Sequence, residues 1–193
     1  QEELTGFLLS SLKDYEYIFA SYLEEQVKKD DNYREKAHAN FATIRDDCIK
    51  NSQQLEYDSS VLNFNYTDPF KSEELGLGIV GARNVHGTLD RTDIIFGIDG
   101  KDVAEDDPAV LFTKTYRLMS LVPYESETVK LCDSDTSYIK IFGHSLSRAD
   151  YSYFQSIFDT VNLYGGDTKL VFMYKNYPNK PDQSVDEQAI REE

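Results

Sequence analysis

Basic residues are scarce in this chain: 20 Lys and Arg stand against 35 Asp and Glu, leaving a net charge of −15. The densest basic spots are Lys28-Lys29 and the stretch from Lys169 to Lys180, too thin for a nucleic-acid footprint. The acidity reads as a solvated, soluble surface. Cysteine is nearly absent. Cys48 and Cys132 lie far apart, outside any CxxC pair or Cys/His cluster that could hold zinc, so both are expected as reduced, mostly buried thiols. Asp46-Asp47, Asp106-Asp107 and Asp133-x-Asp135 lack histidine partners, and no metal is expected. No apolar run approaches the roughly twenty residues of a membrane helix, and no basic start leads into an apolar stretch as in a signal peptide. A cytoplasmic protein with no membrane partner is the expectation. There is also no initiating Met: the chain opens at Gln1 inside an amphipathic pattern and closes at Glu193 in a helical pattern that has barely begun, which reads as an incomplete domain of something longer.

What is present suffices for a core, since 40% of the 193 residues are hydrophobic. From Leu4, apolar residues fall at Phe7, Leu8, Leu12, Tyr15, Ile18, Phe19, Tyr22, Leu23 and Val27, the spacing of one helix face. Lys28 to Asn32 breaks that stripe, and Ala37, Phe41, Ile44 and Cys48 resume it, so residues 1–50 are expected as a helical hairpin packed on the core. By their phase, Tyr15 and Tyr22 should pack into it. Short Val-, Ile-, Phe- and Tyr-rich runs follow at Val61 to Tyr66, Ala82 to His86, Asp93 to Phe96, Tyr138 to Phe142 and Lys169 to Tyr174, and these predict buried strands. Helices are expected between them. Asp68-Pro69 starts a short one, Asp107-Pro108 starts Ala109 to Leu121, and a Ser147-x-x-Asp150 capping pattern starts one reaching about Asn162. Alternating strands and helices imply an α/β core over 51–178 with a largely parallel sheet, and 179–193 reads as linker and the start of a further helix.

Ligands of open α/β sheets sit beyond the carboxyl ends of the strands, which singles out three segments. Asn65 and Thr67 close the first strand run, although Thr67 and Asp68 also fit simple capping of the following helix. Asn84-Val85-His86-Gly87 ends the second, where Gly87 allows a sharp turn and a neutral His86 could act as general base. Gly143-His144-Ser145 follows a later strand and admits two readings. One is an esterase elbow with Ser145 as nucleophile; against it, the final glycine of that motif is replaced by Ser147, and every His precedes Ser145. The other is an anion-holding loop at a helix start, with Asp150 fixing the turn.

Taken in order, Leu62-Asn63-Phe64-Asn65-Tyr66-Thr67, His86-Gly87, the Ile94 to Ile98 run, Phe112-x-Lys114-Thr115 and Phe142-Gly143-His144-Ser145-Leu146-x-x-x-Asp150 resemble the AbiH family of bacterial abortive-infection proteins. The likeness spans about residues 61 to 155 and implies a role in phage resistance, with a phage-encoded trigger as a partner. A more distant resemblance, to sirtuin-like NAD-consuming domains, implies a Rossmann-like sheet and NAD as substrate. On that likeness Asn65 orients a water or ribose hydroxyl, and His86 is the base. Thr67, Gly87, Gly143, His144, Ser145 and Asp150 then contact the nucleotide. Relatives begin with a strand and a Gly-Asn-Gly-Phe-Asp type loop, which this chain lacks; Gly76, Gly78 and Gly81 read only as a loop. The competing expectation is a non-catalytic sensor that docks a phage or toxin partner through Tyr15, Tyr17, Tyr22 and Tyr33 of the hairpin.

Overall fold

A computed structural model describes residues 2–46, 58–70, 78–91, 93–121, 131–146 and 148–173. Cys48, Gly76, Ser147 and everything after Met173 lie outside the described residues, so the expectations placed on them have no structural counterpart.

The N-terminal periodicity becomes α1, Glu2–Lys28, with Glu2 and Glu3 in its first turn and Lys28 in its last, as the helix dipole favours. A tight turn follows, in which Lys36 holds the Asp30 carboxylate at 2.7 Å and lowers its pKa, and α2 then runs from Tyr33 to Asp46. The expected packing of Tyr15 and Tyr22 is wrong. They are 70% and 55% exposed, and α1 instead turns the flank carrying Glu16 and Phe19 inward. The two helices make their polar and aromatic contacts with the α/β body. Tyr33 hydrogen-bonds Thr67 at 2.5 Å and His38 meets the Pro69 carbonyl at 2.7 Å. Lys140 donates to the carbonyls of Ile44 and Arg45 at the end of α2.

All described strand pairs are parallel, which makes this an α/β protein. They form two separate two-stranded sheets among the described residues. β1, Ser59–Asn63, pairs with β2, Ile79–Asn84, from Ser59 opposite Ile79 to Asn63 opposite Asn84. β3, Tyr138–Phe142, pairs with β4, Lys169–Met173. β1 stops short of the expected Tyr66 because the Asn63 side chain ends it. Its Nδ2 donates to Thr67 O at 2.7 Å while its Oδ1 accepts the Asn65 amide at 3.0 Å, an Asx turn that competes with the ladder.

The stretch from Asp93 to Phe96 is not a strand, correcting the expectation. Ile95 N donates to His86 O across the Gly87 turn, but the backbone groups of Phe96 go to side chains: its amide to Glu16 at 2.6 Å and its carbonyl to Arg117 at 2.6 Å. Pairing resumes only as a single parallel bridge between Ile98 and Thr113. That bridge also splits the helix expected over residues 109–121. Asp107 caps a 3-10 turn, Pro108–Phe112, extended Thr113 interrupts it, and α3 occupies Lys114–Leu121. The last helix is α4, Tyr151–Thr160.

Apolar burial is modest, with Ile95 and Val161 the largest fully enclosed side chains, and aromatic clusters supplement it. Phe19, Tyr66 and Phe96 meet with centroids 5.2 to 5.8 Å apart, and Phe64 stacks on Phe154 at 5.1 Å. The anchor of α1 is ionic: Arg117 grips both Glu16 carboxylate oxygens, at 2.5 and 2.7 Å, in a buried bidentate pair. Removing one partner of such a pair strands the other charge. Glu16→Ala is therefore expected to cost about 3–5 kcal/mol, and Glu16→Leu combined with Arg117→Met to recover most of that, in urea unfolding. A double variant as unstable as the single one would contradict this account.

Candidate functional site

The residues predicted from strand ends are brought together in part. His86 follows β2, His144 follows β3, and Asp150 precedes α4, and their side chains converge on one buried carboxylate. Asp150 Oδ1 lies 3.0 Å from His86 Nε2 and 2.5 Å from Lys114 Nζ; Oδ2 lies 3.3 Å from His144 Nε2. Lys114 also donates to the Ala149 carbonyl at 3.1 Å. The capping role expected of Asp150 is corrected here: it stands at the N-cap of α4 but makes no side-chain cap bond. Its carboxylate is drawn inward by Lys114, while the start of α4 is tied by Asp99, which accepts from both Ser152 N and Ser152 Oγ.

The hydrogen bonds define the tautomers. Leu146 N donates to His144 Nδ1 at 3.0 Å, so the His144 proton resides on Nε2, facing Asp150. The carboxylate likewise selects the Nε2–H form of His86, leaving Nδ1 with a lone pair. That atom is buried and has no hydrogen-bond partner among the described residues; the Tyr153 hydroxyl, whose ring is 5.7 Å from the His86 ring, is in the same situation. A carboxylate that fixes one imidazole nitrogen and leaves the other free is the arrangement of an oriented general base.

The electrostatics agree with this assignment. Burial and then the neighbouring Lys114 charge lower the His86 pKa, outweighing the pull of Asp150, so the ring is neutral at neutral pH. Burial pushes the Asp150 carboxyl up, but its hydrogen bond to Lys114 and the charge beside it, with the two imidazoles, hold it below the usual carboxylate range. Tyr66 and Tyr153 are both pushed up to about 12, chiefly by burial. They remain hydroxyl donors.

The other expected site residues are placed differently. Asn65 is exposed, its Nδ2 on Asn63 Oδ1 at 3.3 Å, and with Thr67 it lines an open cleft of about 1340 Å³ that Arg83, Lys140 and Tyr153 also border. The Thr67 hydroxyl is engaged by Tyr33. Gly143 and Ser145 are exposed, and no His bonds the Ser145 hydroxyl among the described residues, so nothing activates a nucleophile there. Gly87 sits at φ +79, and a methyl group on it would come 2.1 Å from Asp93 O. Among the described residues no group of three His, Cys, Asp or Glu side chains is disposed to hold a metal ion, and the Lys114 ammonium fills the place a cation would take beside Asp150. Sequence reasoning assigned no part to Lys114, Tyr153, Glu16 or Arg117. Lys114 belongs to the Phe112-x-Lys114-Thr115 stretch, but nothing local marks it as reaching Asp150, 36 residues away.

Parallel strands followed by helices, with a polar cluster beyond their carboxyl ends, define an α/β protein whose candidate site occupies the position where such folds bind ligands. A model of the bacteriophage abortive infection AbiH family matches residues 6–174, and the chain belongs to that family. No curated protein and no solved structure matches it. No helix among the described residues is long and apolar enough to cross a membrane.

Gly87→Ala adds a strained φ to a backbone overlap and is expected to cost about 3 kcal/mol or more in thermal or urea unfolding. The pH dependence follows from the lowered His86 pKa. The unfolded chain takes up a proton near the ordinary imidazole value while the folded chain does not, so this contribution is complete above about pH 6.5 and is lost as the pH falls through the folded value. The stability advantage over His86→Gln should accordingly shrink between about pH 7 and 5. An advantage that grows on acidification would reverse the assignment.

Proposed function

We propose that this AbiH chain supplies the acid–base centre of a nucleotide hydrolase, with NAD as the leading substrate, and that loss of the nucleotide arrests the infected cell. The observation that carries the reading is the Nδ1 of His86, buried without a hydrogen-bond partner among the described residues and oriented through Asp150 beyond the end of a parallel strand. In the proposed step the bond from ribose to nicotinamide breaks with its electron pair leaving on nicotinamide. Water adds to the oxocarbenium-like carbon, and His86 Nδ1 takes the proton. Asn65, exposed on the adjoining cleft, is assigned to the water or ribose hydroxyl. Thr67, Gly87, Gly143, His144 and Ser145 are assigned to nucleotide contact, and Asp150 to holding the base. Lys114, paired with Asp150, keeps that carboxylate ionised so that it can hold the base and balance the positive charge that develops on the ribose carbon.

NAD consumption by the intact AbiH protein, followed together with survival of phage-challenged cells, tests this. Removing a general base costs on the order of 100- to 10,000-fold, so His86→Ala is expected to abolish measurable turnover and protection together. NAD turnover that survives His86→Ala would take His86 out of the mechanism. Protection without NAD loss would exclude NAD as the substrate.

A further inference from the structure

α1 has two apolar faces, and among the described residues only one is covered. Leu4, Leu8, Ser11, Tyr15, Ile18 and Tyr22 follow one another at alternating intervals of four and three residues, the a/d spacing of a coiled-coil seam. Except for Ser11, these side chains are between 46% and 70% exposed, and Phe7 beside them is 67% exposed. The inward face, centred on Glu16, lies about a third of a turn away, so the described residues of the body do not account for the seam.

We propose that this seam pairs with the same seam of a second copy as an antiparallel two-helix coiled coil. The pattern is self-complementary under a two-fold axis level with Lys13: Leu4 then faces Tyr22, Leu8 faces Ile18, and Ser11 faces Tyr15 of the other chain. A small residue meets a large one at the centre, which lets knobs enter holes, and Ser11 reaches that position satisfied, its hydroxyl on Phe7 O at 2.9 Å. Six apolar side chains of about 200 Å² each, somewhat over half exposed, offer roughly 700 Å² per copy, or roughly 1,400 Å² for a pair, within the range of stable interfaces. Glu24 and Glu25 are held by Lys28 and Lys29 at 3.4 and 3.1 Å on their own helix, which neutralises the carboxylates near the end of the seam. This pairing is independent of the chemistry proposed above.

Sedimentation of the purified chain across roughly 1 to 100 µM reads the association directly. A dimer is expected, weakened at least about 100-fold by Ile18→Glu and unaffected by Met119→Glu, an equally exposed apolar position on α3. Both positions face solvent, and circular dichroism verifies that each variant folds. With Cys48 and Cys132 replaced by Ser, oxidation of mixed Ser11→Cys and Tyr15→Cys chains should yield the cross-linked heterodimer, with little product from either alone. A chain that stays monomeric throughout, or a dimer indifferent to Ile18→Glu, overturns the proposal and leaves the seam to a different polypeptide element. Efficient self-cross-linking of Ser11→Cys alone overturns the antiparallel register.

Discussion

A carboxylate cannot remain ionised inside a protein without compensation, and the Asp150 side chain is compensated from three directions at once. Lys114 supplies charge; His86 and His144 supply hydrogen bonds. Each donor comes from a different stretch of chain: the exit of β2, the start of α3 and the exit of β3. One buried group thereby joins both parallel sheets to the two helices behind them. The aromatic stack of Phe64 with Phe154 fills the space beneath, with His144 4.6 Å from Phe64, so the polar contacts operate in surroundings poor in water.

The anchoring of α1 repeats the same logic on a smaller scale. Glu16 is compensated by Arg117 and by the Phe96 amide, and through them the helix is fixed to α3 and to the extended segment around Phe96. With few enclosed apolar side chains, the body relies on two such charged nodes for definition. The nodes share α3: Lys114 opens that helix, and Arg117 follows one turn later on the flank that meets α1. Helix α3 is short, yet both depend on its placement.

Local signals in the sequence were legible where physics acts locally. The strands at Tyr138 and Lys169, the Asp107 cap, the long helix under the periodic stripe and the turn at Gly87 appear where the residues placed them, whereas β1 and β2 begin ahead of their apolar runs, at Ser59 and Ile79. Three of the residues chosen for lying past strand ends, His86, His144 and Asp150, do meet. The reading failed where distant side chains competed for backbone groups. Phe96 reads as a strand residue until Glu16, 80 positions earlier, claims its amide, and Asp150 reads as a helix cap until Lys114 claims its carboxylate. The phase of α1 misled for a related reason: its apolar residues span two faces, and periodicity alone cannot tell which one the protein covers. A buried glutamate at the centre of the covered face is the opposite of what an apolar stripe announces.

Gly97 gives this arrangement an unexpected control point. Its missing side chain lets the Ile98 segment lie against Phe112 and Lys114; a methyl group there would come 2.8 Å from Phe112 O and 3.0 Å from both Lys114 N and Lys114 Cγ. That contact aims the ammonium at Asp150. The position of the charge beside the carboxylate therefore depends on a steric gap outside the cluster, at a residue that carries no charge and has no titratable atom.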